Sequence, residues 1–262
     1  MDDPEIQQLI QELLSALPKV LGDAFQGLLI GGSLALGGFN PQTSDIDFVV
    51  ITARELPDDI LPALSAMHAR LRNSGQYWAR RMECSYLPWE FLRAYSPSHA
   101  WQPALSVEGE FRRSYHGPDW VLQLHILREH GIALSGPDPK TLIEPAAPEA
   151  LREAARATLH AWWEPQLGDF RLLDSPEYQA YAILTMARSR YTLQHGSVAP
   201  KPVAARWAQE NLGPPWPDLI AQALSWEPGK PLDLKQPALD LIRQTLTYAD
   251  RLGDVWLFPV EE

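Results

Sequence analysis

The feature that most constrains this chain is a segment of small and turn-forming residues that ends in two aspartates. An apolar run leads into Gly32 and Ser33, and a turn-rich stretch then reaches Asp45, Asp47 and a second apolar run. The two runs predict strands, and because side chains alternate along a strand, the two aspartates project from one face. Small-residue loops let backbone N–H groups approach a phosphate, and clustered carboxylates bind the Mg²⁺ that accompanies it. This pairing predicts phosphoryl or nucleotidyl transfer; the alternative is an Asx turn at Asp45 beside a solvated Asp47.

Composition limits the classes of partner. The formal charge of −11 over 262 residues argues against a nucleic-acid groove and suits a small cationic substrate. The single cysteine, Cys84, argues against a disulfide framework and is expected in the core. No basic signal-peptide region follows Met1, and no apolar run reaches the length of a membrane span. We therefore expect a cytoplasmic monomer that binds neither membrane nor nucleic acid.

The chain is expected to form two domains of an α+β protein. Residues 1–147 predict a mixed sheet through the order helix, strand, loop, strand, helix, strand. Within them, Pro18 is expected to end the first helix, and alternation over residues 107–111 suggests a strand. Asp119 is expected to cap a helix and to face solvent. A proline-spaced segment marks the boundary, and residues 148–262 carry helical periodicity that predicts a bundle.

A third carboxylate, Glu83, lies inside an apolar stretch that predicts a strand over residues 81–87. Glu83 and Ser85 would share one face, away from Met82 and Cys84. A neighbouring strand could bring Glu83 to within a few ångströms of the two aspartates, where it would serve as a general base or as a further metal ligand. The alternative is an edge strand on which Glu83 faces water.

These residues resemble the signature of the polymerase-β-like nucleotidyltransferase superfamily. More specifically, the chain is similar to the aminoglycoside adenylyltransferases of the streptomycin/spectinomycin type, which pair such a domain with a C-terminal helical domain. The residues of the second half that match the family's pattern are Arg188, Tyr191, Thr192, Leu193, Gly196, Lys201, Ala204, Ala205, Trp207 and Ala208. With a junction-like segment over residues 127–143, the resemblance covers about residues 25–230.

The resemblance implies a role for each matched residue of the nucleotide site. Gly32 and Ser33 would contact the phosphates of ATP, and Asp45 and Asp47 would hold Mg²⁺. Glu83 would be the catalytic base. In the helical domain, Lys201 would reach the triphosphate, and Arg188 would contact the nucleotide or brace Lys201. A solvated lysine at a helix start is the alternative for Lys201.

The implied reaction is transfer of AMP from ATP to a hydroxyl of a small cationic acceptor, an aminoglycoside or aminocyclitol, with release of pyrophosphate. A protein hydroxyl as acceptor, and a binding protein with little turnover, are the alternatives. The acceptor site departs from the family pattern, because direct register places Tyr178 near the position of the family's aspartate. Asp174 and Glu177 are nearby acidic substitutes, so these three residues are the candidates for acceptor binding.

Overall fold

The computed structural model describes residues 3–257, with side chains through residue 252. Residues 1, 2 and 258–262, at the ends of the two predicted domains, lie outside that description. The chain divides into two compact units, one ending at Pro145 and the other beginning at Ala146. This division lies two residues before the predicted boundary at 147/148. Across the described part of the chain, no helix combines the length and apolar character needed to cross a membrane.

The first unit is built on a six-stranded mixed sheet, as predicted. Its strands are β1 (Phe25–Ile30), β2 (Ile46–Thr52), β3 (Met82–Pro88), β4 (Trp101–Leu105), β5 (Phe111–Tyr115) and β6 (Ile132–Ser135). The spatial order is β5-β4-β3-β2-β1-β6. β2 and β3 are parallel, whereas the other neighbouring strands pair antiparallel. The helices of this unit are α1 (Pro4–Leu21), α2 (Gly32–Leu36), α3 (Leu61–Arg72), α4 (Trp89–Arg93), α5 (Trp120–His130) and α6 (Pro139–Leu142).

Each face of the sheet packs against its own layer of helices. Phe48, Val50 and Cys84 belong to a core cluster with apolar residues of α1 and α3. Val49 and Ile51, which alternate with them along β2, belong to a second cluster with residues of α4 and α5. Because strand side chains alternate, Asp47, Glu83 and Ser85 lie on the α5 face. The candidate carboxylates therefore open toward α5, and Cys84 is a buried core residue as predicted.

Two predictions about helix ends were wrong. Pro18 lies inside α1, which continues to Leu21. Proline removes one hydrogen bond and crowds the preceding turn, but continuing the helix buries Leu21, which is 5% exposed. The second error concerns Gly32 and Ser33, which were predicted in a loop but begin α2. That helix ends at Gly37, whose left-handed conformation and N–H bond to the Ser33 carbonyl close it.

The strand predicted over residues 107–111 was also wrong. Residues 106–110 form the turn between β4 and β5, closed by the Ser106 N–H bonding the Glu110 carbonyl and by Gly109 with φ of +96°. Alternating side chains in a tight turn imitate a strand pattern, although only a partner strand supplies the hydrogen bonds. The strands on either side of this turn, β4 and β5, were not predicted, and neither was β6.

The described part of the second unit is helical, as predicted. Its helices are α7 (Pro148–Thr158), α8 (Pro176–His195), α9 (Lys201–Asn211), α10 (Trp216–Ser225) and α11 (Lys235–Leu257). One turn of π-helix, Leu159–Trp163, extends α7. α8 packs against α7, α9, α10 and α11, so it forms the centre of the bundle. The predicted fold class, α+β with a C-terminal helical bundle, is confirmed.

Candidate active site

Two parallel strands place Asp47 and Glu83 side by side. Asp47 of β2 and Glu83 of β3 are direct partners in the register, and both project from the α5 face. Asp45 immediately precedes β2 and is close enough to Glu83 to affect its charge state. Glu83 therefore lies on the strand next to Asp47, as expected. The alternative of an edge strand is excluded, because β3 lies between β2 and β4.

The chain turns tightly against Asp47 at the end of β1. The Gly31 N–H donates to the Asp47 carbonyl at 2.9 Å. Gly32 has φ of +54°, and a Cβ atom on it would lie 1.7 Å from Asp47 Oδ2. Only glycine fits this position, since it alone tolerates both the backbone conformation and the close carboxylate. Next to it, Ser33 Oγ is buried and has no hydrogen-bond partner among the described residues. A buried hydroxyl without a partner is unusual, and at this position beside Gly32 it is available to a ligand.

The two aspartates raise the proton affinity of Glu83. Burial, followed by the charges of Asp47 and Asp45, raises the pKa of Glu83 to about 8, and a hydrogen bond from the Val107 N–H opposes this shift. Neighbouring carboxylates of this kind are stabilised by a cation between them. Among the described residues, however, no group of three or more His, Cys, Asp or Glu side chains is arranged to hold a metal ion.

Two aspartates without a third protein ligand among the described residues fit Mg²⁺ that is carried by a nucleotide. Mg²⁺ is usually held through one or two carboxylates, with phosphate oxygens and waters completing its shell, rather than by a cage made wholly of protein. Asp45 and Asp47 supply such a pair, and the partnerless Ser33 hydroxyl lies beside them in the turn. The donor set therefore matches a metal that arrives with a phosphate chain.

A cavity of about 150 Å³ lies above the carboxylates. Asp47 and Glu83 line it from the sheet, and Asp119, Trp120 and Gln123 line it from the first turns of α5. The remaining lining residues are Gly31, Gly32, Phe48, Val49, Cys84, Ser85 and Leu127. The cavity is acidic, which suits a cationic ligand or a metal-bound phosphate.

Comparison with known proteins adds to this geometry. The model of the family described as aminoglycoside adenylyltransferase, C-terminal domain, matches residues 141–248. An aminoglycoside (3'') (9) adenylyltransferase of Escherichia coli is 26% identical over 255 residues, covering 93% of each chain. A spectinomycin 9-adenylyltransferase of Campylobacter jejuni is also 26% identical, covering 85% of this chain and 86% of that relative. The chain is therefore similar to aminoglycoside adenylyltransferases over most of its length, and residues 141–248 match the C-terminal domain of that family.

A solved structure agrees with the fold of this chain. The spectinomycin adenyltransferase AAD(9) from Enterococcus faecialis, solved with ATP and spectinomycin, superposes with a TM-score of 0.72. It covers 92% of this chain and 99% of its own, at 17% sequence identity. This likeness confirms the fold, whereas the predicted family and the predicted enzyme class, nucleotidyltransferase, are confirmed by the family model and the named relatives.

The remaining nucleotide-site predictions fall in the second unit. Arg188 is half-buried on α8, and Lys201 is the first residue of α9. The Lys201 ammonium lies 5.2 Å from the centre of the Tyr181 ring, a cation–π contact. The structure thus brings Gly32, Ser33 and the three carboxylates together in the first unit, and the nucleotide roles of Arg188 and Lys201 stay predictions.

The three acceptor-site candidates have different surroundings in the second unit. Asp174 pairs with the Lys235 ammonium, whereas Glu177 is exposed in the first turn of α8. The Tyr178 hydroxyl accepts a hydrogen bond from Trp162 Nε1 at 3.2 Å, and its ring lies 5.4 Å from that of Tyr181. Tyr178 therefore belongs to an aromatic cluster rather than to an acidic one.

Sequence reasoning missed two contributions to the cavity. Asp119 was expected to cap α5 and face solvent, but its side chain makes no capping hydrogen bond and lines the cavity instead. Burial raises its pKa. The second contribution is a hydrogen bond between Ser85 Oγ and His116 Nε2, 3.0 Å long. The sequence offered one indication of these contributions, which is that Ser85 shares a strand face with Glu83.

Proposed function

We propose that this protein transfers AMP from ATP to a hydroxyl group of an aminoglycoside or aminocyclitol and releases pyrophosphate. One observation carries the proposal. The Asp47 and Glu83 carboxylates lie side by side, and Gly32 approaches Asp47 so closely that no side chain fits at that position. Carboxylates on adjacent strands beside a tight glycine turn are suited to a metal-bound phosphate chain. The acidic cavity supports a cationic acceptor, and the relatives act, by their names, on such compounds.

In the proposed reaction Asp45 and Asp47 hold Mg²⁺. Bound there, the ion would supply positive charge against the phosphate oxygens and would lower the pKa of Glu83, so that its carboxylate accepts a proton at neutral pH. Glu83 takes the proton of the acceptor hydroxyl, whose oxygen forms a bond to the α-phosphorus of ATP. The bond from the α-phosphorus to the bridging oxygen breaks, and pyrophosphate leaves with that oxygen.

Other residues are proposed in binding roles. Gly32 and Ser33 contact the phosphates through the turn, where the Ser33 hydroxyl has no protein partner among the described residues. Arg188 and Lys201 are proposed as nucleotide-binding residues because they match the family pattern. For the acceptor, Asp174, Glu177 and Tyr178 remain the candidates in the second unit. We also propose that the protein acts as a monomer in the cytoplasm, where ATP is available.

The test is transfer of label from α-labelled ATP with Mg²⁺ and a panel that includes spectinomycin and streptomycin. We expect labelled AMP on a small molecule. Asp47→Asn should reduce transfer by about 100-fold or more with unchanged circular dichroism, since loss of one electrostatic partner of the phosphates typically has this size. Glu83→Gln should keep ATP binding and lose turnover.

Other outcomes would contradict parts of the proposal. Label only on protein would show a protein hydroxyl as acceptor, and ATP binding without any transfer would show a binding protein. Near wild-type transfer by Asp47→Asn would contradict the metal assignment. Weakened ATP binding by Glu83→Gln would favour a ligand role over that of a base.

A further inference from the structure

The hydrogen bond between Ser85 and His116 gives the cavity a polar group outside the proposed nucleotide site. Ser85 follows Glu83 by two positions on β3, so both side chains lie on the α5 face. Ser85 lines the same cavity, and its Oγ is 3.0 Å from His116 Nε2. This residue can therefore be reached by whatever molecule contacts Glu83.

The direction of this hydrogen bond follows from the other ring nitrogen. His116 Nδ1 lies 3.0 Å from the backbone carbonyl of Ser114, and a carbonyl only accepts, so Nδ1 carries a hydrogen. His116 is 3% exposed, and burial lowers its pKa to about 4. The ring is therefore neutral at pH 7, and Nε2 accepts the hydroxyl hydrogen of Ser85.

Packing keeps the imidazole in this position. Its centre lies 4.4 Å from that of the Trp120 ring and 5.7 Å from that of the Phe91 ring. The His116 backbone N–H also donates to the Ala100 carbonyl at 2.7 Å. Because the ring cannot turn, the only hydrogen of the Ser85 hydroxyl stays directed at His116, and the oxygen offers lone pairs alone to the cavity.

This makes Ser85 a neutral hydrogen-bond acceptor beside carboxylates. Asp47, Glu83 and Asp119 also line the cavity, and their carboxyl oxygens are further hydrogen-bond acceptors. The complement of such a surface is a ligand group rich in N–H or O–H donors, above all an ammonium group. A phosphate oxygen is disfavoured at Ser85, because it has no hydrogen to give and the hydroxyl hydrogen is already in use.

We propose that Ser85 binds the small cationic substrate by accepting a hydrogen bond from one of its ammonium or hydroxyl groups, and that His116 is the positioning residue that keeps Ser85 an acceptor. The inference rests on the proposed function, because it assigns this wall of the cavity to the substrate that receives AMP. It adds a substrate contact in the first unit to the candidates of the second.

The experiment measures steady-state adenylylation of spectinomycin and streptomycin by the wild type and by Ser85→Ala, Ser85→Thr and His116→Phe. For the better substrate, we expect Ser85→Ala to raise its KM about tenfold, a factor typical of one hydrogen bond to a charged or polar group, with the KM of ATP little changed. Ser85→Thr keeps the oxygen and should recover most of the loss. His116→Phe keeps the aromatic packing but frees the Ser85 hydroxyl, so it should raise the same KM.

The control is Ser98→Ala, which removes a hydroxyl that bonds Ser96 in a surface turn of the same unit. It should leave both KM values unchanged. An unchanged substrate KM in Ser85→Ala would overturn the inference, as would an equal rise in the KM of ATP, which would place Ser85 in the nucleotide site. No transfer by the wild type would instead refute the proposed function, and the inference with it, so the two failures are distinguishable.

Discussion

Gly32→Ala is the substitution whose effect the structure defines most sharply. An added Cβ would lie 1.7 Å from Asp47 Oδ2 and 2.3 Å from its Cγ, and real Cβ atoms essentially never come within 3.0 Å of such neighbours. The methyl group and the carboxylate must therefore separate by a further 1.3 Å or more. A displacement of about 1 Å at a reacting centre can cost on the order of 100-fold in rate. We expect at least this loss of AMP transfer from Gly32→Ala.

Backbone strain alone does not account for that loss, and Gly37→Ala separates the two effects. Gly37 ends the helix that Gly32 begins, has φ of +78°, and would carry a Cβ with no atom within 4 Å. Both variants should lose about 1–2 kcal/mol of unfolding free energy, because a side chain disfavours the left-handed region, and Gly32→Ala should lose more because of its contact with Asp47. Only Gly32→Ala should also lose activity per folded molecule.

The assay combines urea unfolding with transfer of labelled AMP to spectinomycin, measured on folded protein. Equal activities of Gly32→Ala and Gly37→Ala would refute the reasoning, since the contact with Asp47 would then have no consequence for the chemistry. Nearly wild-type activity of Gly32→Ala would further show that the Asp47 carboxylate can move without cost.

Three further predictions concern stability. His68 and His116 are buried, and burial lowers the pKa of each to about 4. Below pH 6.5 the unfolded chain therefore binds protons that the folded chain does not, so acidification favours unfolding. Each histidine should lower the unfolding free energy by about 3 kcal/mol between pH 6.5 and 4. Urea titrations should show a smaller loss over that range in His116→Phe; an unchanged loss contradicts this. Gly196→Ala, whose Cβ would lie 2.6 Å from that of Pro148, should lower the Tm more than Gly229→Ala, which meets no atom. The exposed pair of Asp174 and Lys235 should contribute under about 1 kcal/mol, which a double-mutant cycle would measure.

The parts of the fold that the sequence predicted are those set by local periodicity. Helix α8 ends before Gly196 and α9 begins between the prolines at 200 and 202, so glycine and proline mark these helix ends in the sequence. The errors arise where a distant partner decides. Strand β6 has four residues and depends on pairing with β1. The alternation over residues 107–111 falls mostly in a turn, because residues 106–110 reverse the chain between β4 and β5.

The candidate site divides in the same way. Gly32, Asp45 and Asp47 lie within one short segment between and at the ends of β1 and β2, so their closeness along the chain suffices to group them. Glu83 required only the assumption that its strand is a neighbour of β2, and the parallel register of β2 and β3 supplies that. Its partner in the register could not be read from the sequence, because nothing local distinguishes Asp47 from Asp45 as the residue beside it.

The cavity wall formed by Ser85 and Asp119 shows why the substrate side of such a site resists prediction. Ser85 meets His116 across 31 residues, because the order β3-β4-β5 returns the chain alongside itself. Asp119 lines the cavity only because α5 lies over β2 and β3, and its position before a helix is equally typical of an exposed cap. Phosphate and metal chemistry demands a few residue types at close spacing, whereas a cationic substrate can be held by any hydrogen-bond acceptors that the fold brings together. The residues of the proposed nucleotide site can therefore be predicted from the sequence, whereas those of the proposed substrate site can be found only from tertiary contacts.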